Sequence, residues 1–432
     1  MSLRDRSLMA ASLQSNGYVR DLGSYERLMY LSAVDHPRHF CVVGEIAGEL
    51  TAGNFRTAFD ELQRRHTLLN VAIHGYDMWD GRSGAAFYLV DRRIDIEFKP
   101  LWQDYDWVRE VERELATSLD GAAGPLMRAV VLQQHQKAQV ILTFHHAIAD
   151  GLSAAFIIRD LMVALNGSAL SVLPEKPLYE TLAARLLIPG GRLEEAERDN
   201  ERAPRRDLTS RTKRHVKGDM TTVTTLSFSE IWTEHIQVSA KANGTTVHGA
   251  LCAAVALSVL EENATGACTI MSPINIRQML GIQAGECGIY LSAGTVSYLK
   301  HDASEYWAMA RQVVEECNHA KSAERVSDLI NMIDASVPVG TSPGAANCFR
   351  SALPHNAVVS NLGRLPIPET IGHLRLNTVW GPLQRTHGAN GRFISAATVG
   401  NRLRIVQTSS PDVPSILDAI CEHIQEAVKA PI

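Results

Sequence analysis

Apolar residues recur along this 432-residue chain with two different periodicities, one typical of β-strands and one typical of amphipathic helices. The β-rich run 39–48 (HFCVVGEIAG) is followed by 55–69 (FRTAFDELQRRHTLL), in which Phe55, Phe59 and Leu62 repeat at helical spacing. The pattern therefore predicts an α/β protein from about residue 39 onward.

A β-hairpin is predicted between residues 126 and 146, where LMRAVVLQ and QVILTFHH flank a polar turn. Residues 152–165 (LSAAFIIRDLMVAL) then carry apolar residues on a helical face and end at Asn166-Gly167, a usual helix stop. The second strand of the hairpin should therefore lead through a short loop into a helix.

The periodic pattern stops between about 187 and 218, where the chain is charged and interrupted by Pro and Gly. A second α/β unit follows, with a strand at 221–229, a long helix broken at Asn243-Gly244, and a hairpin at 392–410. We therefore predict an N-terminal subdomain at 1–190, a linker at 191–218 and a C-terminal subdomain at 219–432.

Composition narrows the class of protein. The chain has 45% hydrophobic and 21% charged residues, and its formal net charge of −5 gives no general attraction for nucleic acids or anionic membranes. Its seven cysteines contain no C-x-x-C pair, and no apolar run reaches the roughly 18 residues of a membrane span. We expect a cytoplasmic monomer without a membrane span or a nucleic-acid partner.

The string His145-His146-Ala-Ile-Ala-Asp150-Gly151 carries the most distinctive chemistry. Because side chains alternate along a strand, the two histidine rings should diverge, which disfavours a metal site built from this pair. One imidazole at a strand end suits a general base, and the helix start after Asp150 directs backbone N–H groups toward the same place. A purely structural role for both histidines remains open on spacing alone.

The same string resembles the HHxxxDG motif of the condensation-domain acyltransferase superfamily. That superfamily includes nonribosomal peptide condensation domains, polyketide-associated acyltransferases and, more distantly, chloramphenicol acetyltransferase. The similarity spans about residues 20–425. Further segments that resemble family stretches, in the same order, are LQRRHTLLNVAI at 62–73, LDGAAGPLMRAVVL at 119–132, MSPINIRQML at 271–280 and VVSNLGRL at 358–365.

The resemblance implies two chloramphenicol acetyltransferase-like α/β subdomains in a V-shaped pseudo-dimer with a central tunnel. It implies that His146 is the general base, that His145 is structural, and that Asp150 forms a buried pair with Arg277. An oxyanion would be held by the backbone N–H near Gly151. Ser360 and Asn361 are further oxyanion or substrate candidates, and capping of a turn by these two residues is the alternative.

The implied activity is transfer of an acyl group from a thioester to a hydroxyl or amine, in polyketide, lipid or nonribosomal peptide biosynthesis. Coenzyme A or a phosphopantetheinyl carrier protein would supply the acyl group as a substrate, and we expect no resident cofactor or metal. The acceptor would be a small-molecule alcohol or amine. A non-catalytic protein that docks a carrier protein is the alternative.

Two other sequence features suggest different functions. Gly340-Thr-Ser342-Pro-Gly344 matches the G-x-S-x-G elbow of serine hydrolases, but its Pro/Gly-rich context is that of a loop instead of a strand-turn-helix junction. The basic run at 202–218 (RAPRRDLTSRTKRHVKG) could dock an acidic partner, although a solvated linker is the commoner meaning of such a run.

Overall fold

The computed structural model describes residues 17–33, 39–74, 84–175, 177–187, 220–262, 266–300, 305–341, 354–386 and 391–428. The predicted linker at 191–218, the basic run at 202–218 and Ser342 lie outside these ranges.

The described residues form fifteen β-strands, numbered in chain order. They are Tyr18–Asp21 (β1), His39–Ala47 (β2), Val71–His74 (β3), Ala86–Leu89 (β4), Asp95–Pro100 (β5), Met127–Gln134 (β6), Lys137–His145 (β7), Thr222–Ser227 (β8), Ala267–Asn275 (β9), Leu291–Leu299 (β10), Ala357–Arg364 (β11), Thr370–Ile371 (β12), Leu374–Gln384 (β13), Arg392–Val399 (β14) and Arg402–Ser409 (β15).

Ten α-helices lie between these strands within the same described ranges, together with two short 3₁₀ turns at Thr67–Asn70 and Arg185–Leu187. The α-helices are Ser24–Ser32 (α1), Ala52–Arg65 (α2), Asp106–Ala116 (α3), Gly151–Leu165 (α4), Tyr179–Ala184 (α5), Glu230–Ala242 (α6), Val247–Glu262 (α7), Tyr306–Ala320 (α8), Ala323–Ser336 (α9) and Leu417–Val428 (α10).

One six-stranded sheet has the order β12-β13-β2-β7-β6-β5, with the predicted hairpin β6–β7 inside it. Alternate residues of its strands enter two different cores. Val42 and Val140 pack with apolar residues of α2 and α4, whereas Val43 and Ile141 pack with Trp107 of α3. The sheet is therefore covered on both faces, which explains why β7 is a nearly continuous apolar run.

The second six-stranded sheet has the order β10-β9-β11-β14-β15-β8. Helices α7 and α10 pack on it, and Leu251, Val255 and Ile420 join Val359 and Ile405 in one buried core. Two six-stranded sheets, each covered by helices, confirm the predicted mixed α/β class.

Strand β13 belongs to the second half of the sequence but lies in the sheet of the first half. It pairs antiparallel with β2 from Arg375 opposite Ala47 to Gln384 opposite Phe40. Membership of the two sheets therefore does not follow the predicted subdomain ranges 1–190 and 219–432.

The predicted helix break at Asn243-Gly244 is confirmed. Helices α6 and α7 meet at an angle of 96°, and Gly244 has a φ of +69°, a conformation that glycine adopts without steric cost. Among the described residues no single helix is long and apolar enough to cross a membrane, and only this bent pair taken together passes that test.

Strand β13 is the main element that the hydrophobic pattern did not reveal. Its sequence LRLNTVWGPLQ contains Gly381-Pro382, and sequence rules assign Gly-Pro to turns. In the structure these two residues lie where the register with β2 shifts, between Trp380 and Leu383. Proline is tolerated in a strand at such an irregularity because no ladder hydrogen bond from its nitrogen is needed there.

Candidate active site

The HHxxxDG string lies at a strand-loop-helix junction. Strand β7 ends at His145, and helix α4 begins at Gly151. Asp150 is the N-cap of α4, where its Oδ1 accepts a hydrogen bond of 2.9 Å from the backbone N–H of Ser153. An aspartate at this position satisfies one of the free N–H groups of the first helical turn, so the sequence itself defines the start of the helix.

Asp150 also forms a bidentate ion pair with Arg277, which follows β9 in the second half of the chain. The guanidinium donates from Nη1 to Oδ2 at 2.8 Å and from Nη2 to Oδ1 at 2.7 Å. Asp150 is fully buried and Arg277 is 4% exposed. The structure thus brings together the two residues that the resemblance pairs, although 126 residues separate them in the sequence.

The segment 286–290 also holds Asp150, through backbone hydrogen bonds. The backbone N–H of Tyr290 donates to Asp150 Oδ2 at 3.1 Å, and the Asp150 N–H donates to the carbonyl of Gly288 at 3.1 Å. Burial by itself raises the pKa of Asp150, but Arg277 and these N–H donors outweigh it and hold the pKa below its ordinary value. Asp150 is therefore an ionised structural group that ties the histidine loop to the second half of the chain.

His145 is locked into the loop. Its Nδ1 accepts a hydrogen bond of 3.1 Å from the backbone N–H of Ala147, and the residue is 2% exposed. Burial, with a smaller effect from neighbouring His146, lowers the pKa of His145 to about 4. A neutral ring whose acceptor nitrogen is already used is suited to holding the turn and not to exchanging protons with a substrate.

His146 is the more accessible histidine of the pair, because it is only partly buried. Its ring centroid lies 5.0 Å from that of Phe40, and Phe40 in turn stacks on Phe144 at 5.7 Å. Phe40 and Phe144 are direct cross-strand partners of β2 and β7. The aromatic pair therefore supports the imidazole from one side at the end of the sheet.

Gly151 marks the point at which the two halves touch beside the loop. A Cβ atom added there would lie 2.9 Å from Leu362 Cδ2 and 3.0 Å from Pro382 Cγ. Leu362 belongs to β11 of the second sheet, and Pro382 belongs to the crossing strand β13. A side chain at this position would require the Leu362 side chain or the Pro382 ring to move, so glycine gives the closest approach of α4 to both strands.

Ser360 and Asn361 lie directly before Leu362 in β11. Ser360 is 8% exposed and stands opposite Ser395 of β14. Asn361 accepts a hydrogen bond of 2.8 Å through Oδ1 from the backbone N–H of Gly363, whose φ is +70°. This contact is that of a turn cap, and the oxyanion role of both residues stays a prediction.

Sequence reasoning missed the supporting residues Phe40, Ser153 and Tyr290. Ser153 donates from Oγ to the Gly288 carbonyl at 2.9 Å, and the Arg277 guanidinium carbon lies 4.9 Å from the centre of the Tyr290 ring. In the sequence Phe40 has only the pattern of a core residue, and Gly288–Tyr290 lead directly into the strand that begins at Leu291. No local signal distinguishes these roles. Within the described ranges, no three His, Cys, Asp or Glu side chains are grouped to hold a metal ion.

A family model described as condensation domain matches residues 26–326. This chain belongs to the condensation-domain family. The match includes the HHxxxDG string and Arg277, and it confirms the family resemblance found in the sequence.

Relatives among characterised proteins match a limited segment of this condensation-domain protein. Tyrocidine synthase 3 of Brevibacillus parabrevis is 26% identical over 140 residues, which are 32% of this chain and 2% of that protein. The chain thus spans only a few per cent of the length of such relatives.

Solved structures match over almost the whole chain. Polyketide synthase associated protein 5 from Mycobacterium tuberculosis superposes with a TM-score of 0.67 at 16% identity, over 96% of this chain and all of that one. The TRI101 protein of F. graminearum, complexed with coenzyme A and T-2 mycotoxin, gives 0.60 at 11% identity, over 91% of this chain and 96% of that one. The fold is accordingly that of condensation domains and chloramphenicol acetyltransferase-like acyltransferases.

Proposed function

We propose that this protein transfers an acyl group from a thioester to a hydroxyl or amine, with His146 as the general base. One observation carries the proposal: of two adjacent histidines, His145 is buried and hydrogen-bonded within the loop, whereas His146 remains partly exposed in the same loop. A base must be reachable by the group whose proton it removes.

The reaction needs one proton carrier. A nitrogen of His146 accepts the proton of the acceptor O–H or N–H while that oxygen or nitrogen attacks the thioester carbonyl carbon. The tetrahedral intermediate then collapses, the C–S bond breaks, and His146 returns the proton to the departing thiolate. The products are an ester or amide and a free thiol, and no acyl-enzyme forms.

Asp150 and Arg277 have a positioning role in this scheme. Their ion pair engages both carboxylate oxygens of Asp150, so the carboxylate serves to hold the loop. It fixes the loop between β7 and α4, and so the place of His146 relative to an acceptor. A stable position is required because misplacement of a base by about 1 Å costs on the order of 10²-fold in rate.

Both thioester donors remain within the proposal, because coenzyme A and a carrier protein present the same phosphopantetheine arm. Coenzyme A is bound by TRI101, which shares the fold. Several relatives in sequence are peptide synthetases and hybrid synthetases, among them tyrocidine synthase 3. The thioester is a substrate in either case.

The test is detection of acyl transfer by intact mass, with acyl-coenzyme A and acylated carrier protein each offered against a panel of alcohols and amines. We expect product from the wild type and a loss of about 10²–10⁴-fold in His146→Ala, the usual contribution of a positioned base. The matched control is His135→Ala, because His135 is exposed in the turn at the other end of the same hairpin. That variant should keep wild-type activity.

Full activity in His146→Ala would remove His146 from the mechanism. Absence of product with every donor, together with carrier-protein binding that is equal in the wild type and His146→Ala, would support the non-catalytic docking protein instead.

A further inference from the structure

A cavity lies against the segment 286–290, which also holds Asp150. It contains about 750 Å³ of space, part of it open to solvent, and His146 is not among its lining residues. The cavity, which we call the glutamate pocket, is lined by residues from 19–26, 66–68, 173–175, 177–180 and 286–290.

His66, which lines this pocket, has one ring nitrogen without a hydrogen-bond partner. Its side chain is 1% exposed, and its Nε2 lies 3.0 Å from Oδ2 of Asp160. Neighbouring His66 and Arg159 lower the pKa of Asp160 although burial opposes them, so the carboxylate only accepts and Nε2 must donate. Burial lowers the pKa of His66, which keeps the ring neutral. The remaining nitrogen, Nδ1, therefore carries a lone pair, and it is buried without a hydrogen-bond partner.

Glu180 presents a second acceptor of the same kind. Its Oε1 accepts hydrogen bonds from the backbone N–H and the hydroxyl of Ser24 at the start of α1. Its Oε2 is buried and has no donor. The large majority of buried polar atoms in proteins are hydrogen-bonded. Two unpaired acceptors on residues that line one cavity therefore favour a ligand that carries hydrogen-bond donors.

The charged residues of the lining indicate the charge of the ligand. Among the described lining residues there are four glutamates and one arginine. That arginine, Arg20, is already engaged by Glu26 through two contacts of 2.6 and 2.7 Å. The pocket as a whole therefore favours a cation over an anion.

The apolar part of the lining suits a short carbon chain. Leu68, Leu173 and Ile289 supply aliphatic walls, and the rings of Tyr25 and Tyr179 meet edge to face at 6.0 Å. Aromatic faces attract alkylammonium groups through cation–π interaction. An ammonium group has three donors and no acceptor, which matches the two orphaned acceptors.

We propose that the glutamate pocket is a second ligand site that binds a primary alkylammonium group, with Glu180 Oε2 and His66 Nδ1 as its acceptors. The site shares a wall with the HHxxxDG loop, because Gly288 accepts from the Asp150 N–H and the Cys287 thiol donates to the Ile148 carbonyl at 3.1 Å. A ligand bound there contacts the segment that positions the catalytic loop. The site does not depend on the acyltransferase proposal.

Isothermal titration calorimetry of the full chain with n-butylammonium, 1,4-diaminobutane and n-butanol tests this site. We expect saturable binding of both ammonium probes and binding of n-butanol that is weaker by tenfold or more, because n-butanol lacks the charge. Glu180→Gln should weaken the ammonium probes by about tenfold or more, since a hydrogen bond to a charged group is lost. Glu324→Gln, an exposed control on α9, should bind as the wild type does.

His146→Ala separates this site from the proposed reaction, because it should bind n-butylammonium with wild-type affinity whether or not acyl transfer is detected. Loss of binding in His146→Ala would place the ammonium group at the HHxxxDG site and overturn the proposal. Equal affinity for n-butanol and n-butylammonium, or unchanged affinity in a folded Glu180→Gln variant, would overturn it as well. Thermal melting of each variant establishes that it is folded.

Discussion

At the scale of single residues, the buried ion pair between Asp150 and Arg277 constrains the position of the HHxxxDG loop. Each is nearly or fully buried, and each has the other as its main partner of opposite charge. Such a pair contributes little net stability compared with an apolar pair, but removal of one member leaves the other charge buried without compensation.

We therefore expect Asp150→Ala to lower the free energy of unfolding by about 3–5 kcal/mol and to reduce acyl transfer at the same time. Denaturant titration and the intact-mass assay measure the two effects. Glu97→Ala is the control, since Glu97 forms an ion pair with Arg113 in which both side chains are 45% or more exposed. Its removal should cost about 1 kcal/mol or less. Full activity and an unchanged unfolding midpoint in Asp150→Ala would contradict the positioning role.

The buried histidines predict how stability depends on pH. Burial lowers the pKa of His145 to about 4 and that of His39, its cross-strand partner, to about 3. In the unfolded chain both titrate near 6.5. Below that pH the unfolded state binds protons that the folded state does not bind, so the free energy of unfolding falls as the pH decreases from about 6.5 toward 4.

His145→Asn isolates this contribution, because an asparagine Oδ1 can replace Nδ1 as acceptor for the Ala147 N–H but does not titrate. From pH 7 to pH 4.5 the wild type should lose stability more steeply than the variant, with a difference on the order of 3 kcal/mol at most. Denaturant titrations at several pH values give both curves. Parallel curves would show that His145 has the same pKa in the folded and unfolded states.

At the scale of elements, the junction between β7 and α4 depends on close packing at one glycine. Gly151 is the first residue of α4, and a Cβ atom there would contact Leu362 and Pro382 at 3.0 Å or less. Both neighbours lie on strands from the second half, so the helix start acts as a contact between the two halves.

Gly151→Ala should therefore destabilise the protein by about 1–3 kcal/mol, as overpacking does, and lower acyl transfer by moving the loop. Gly53→Ala is a matched control in the first turn of α2, where the nearest atom to an added Cβ lies at 3.7 Å. There alanine should be neutral or stabilise by up to about 1 kcal/mol. If thermal melting ranks the two variants in the opposite order, the close approach at Gly151 is not a constraint.

At the scale of the whole molecule, β13 makes the first sheet dependent on the second half of the chain. Without β13, the edge of β2 would expose the backbone groups that now pair with residues 375–384. Unpaired edges of largely apolar strands promote association between chains.

The fragment 1–190, which matches the predicted N-terminal subdomain, should therefore aggregate or lack a cooperative unfolding transition. Size-exclusion chromatography and circular dichroism compare it with the full chain. A soluble, monomeric and cooperatively folded fragment would show that the N-terminal half does not need β13.

The sequence by itself determined the elements whose signals are local. Four such signals each act within a few residues: the alternation of side chains in β7, the helical periodicity of α4, the Asp150 cap and the stop at Asn166-Gly167. The HHxxxDG string lies between the strand and the helix and is recognisable as a family motif. The pairing of Asp150 with Arg277 was predicted only through that family resemblance, because nothing local connects residues so far apart.

Tertiary structure alone decided which long-range surfaces meet. The crossing of β13 into the first sheet, the closeness of Gly151 to Leu362 and Pro382, the support of His146 by Phe40 and the orphaned acceptors of the glutamate pocket have no local sequence signal. The first three arise because strand edges and apolar faces must find partners wherever the folded chain brings them together. The unpaired acceptors arise because the fold gives His66 Nδ1 and Glu180 Oε2 no protein donor. Local periodicity therefore predicted the secondary-structure elements, whereas long-range packing determined which residues surround the HHxxxDG loop.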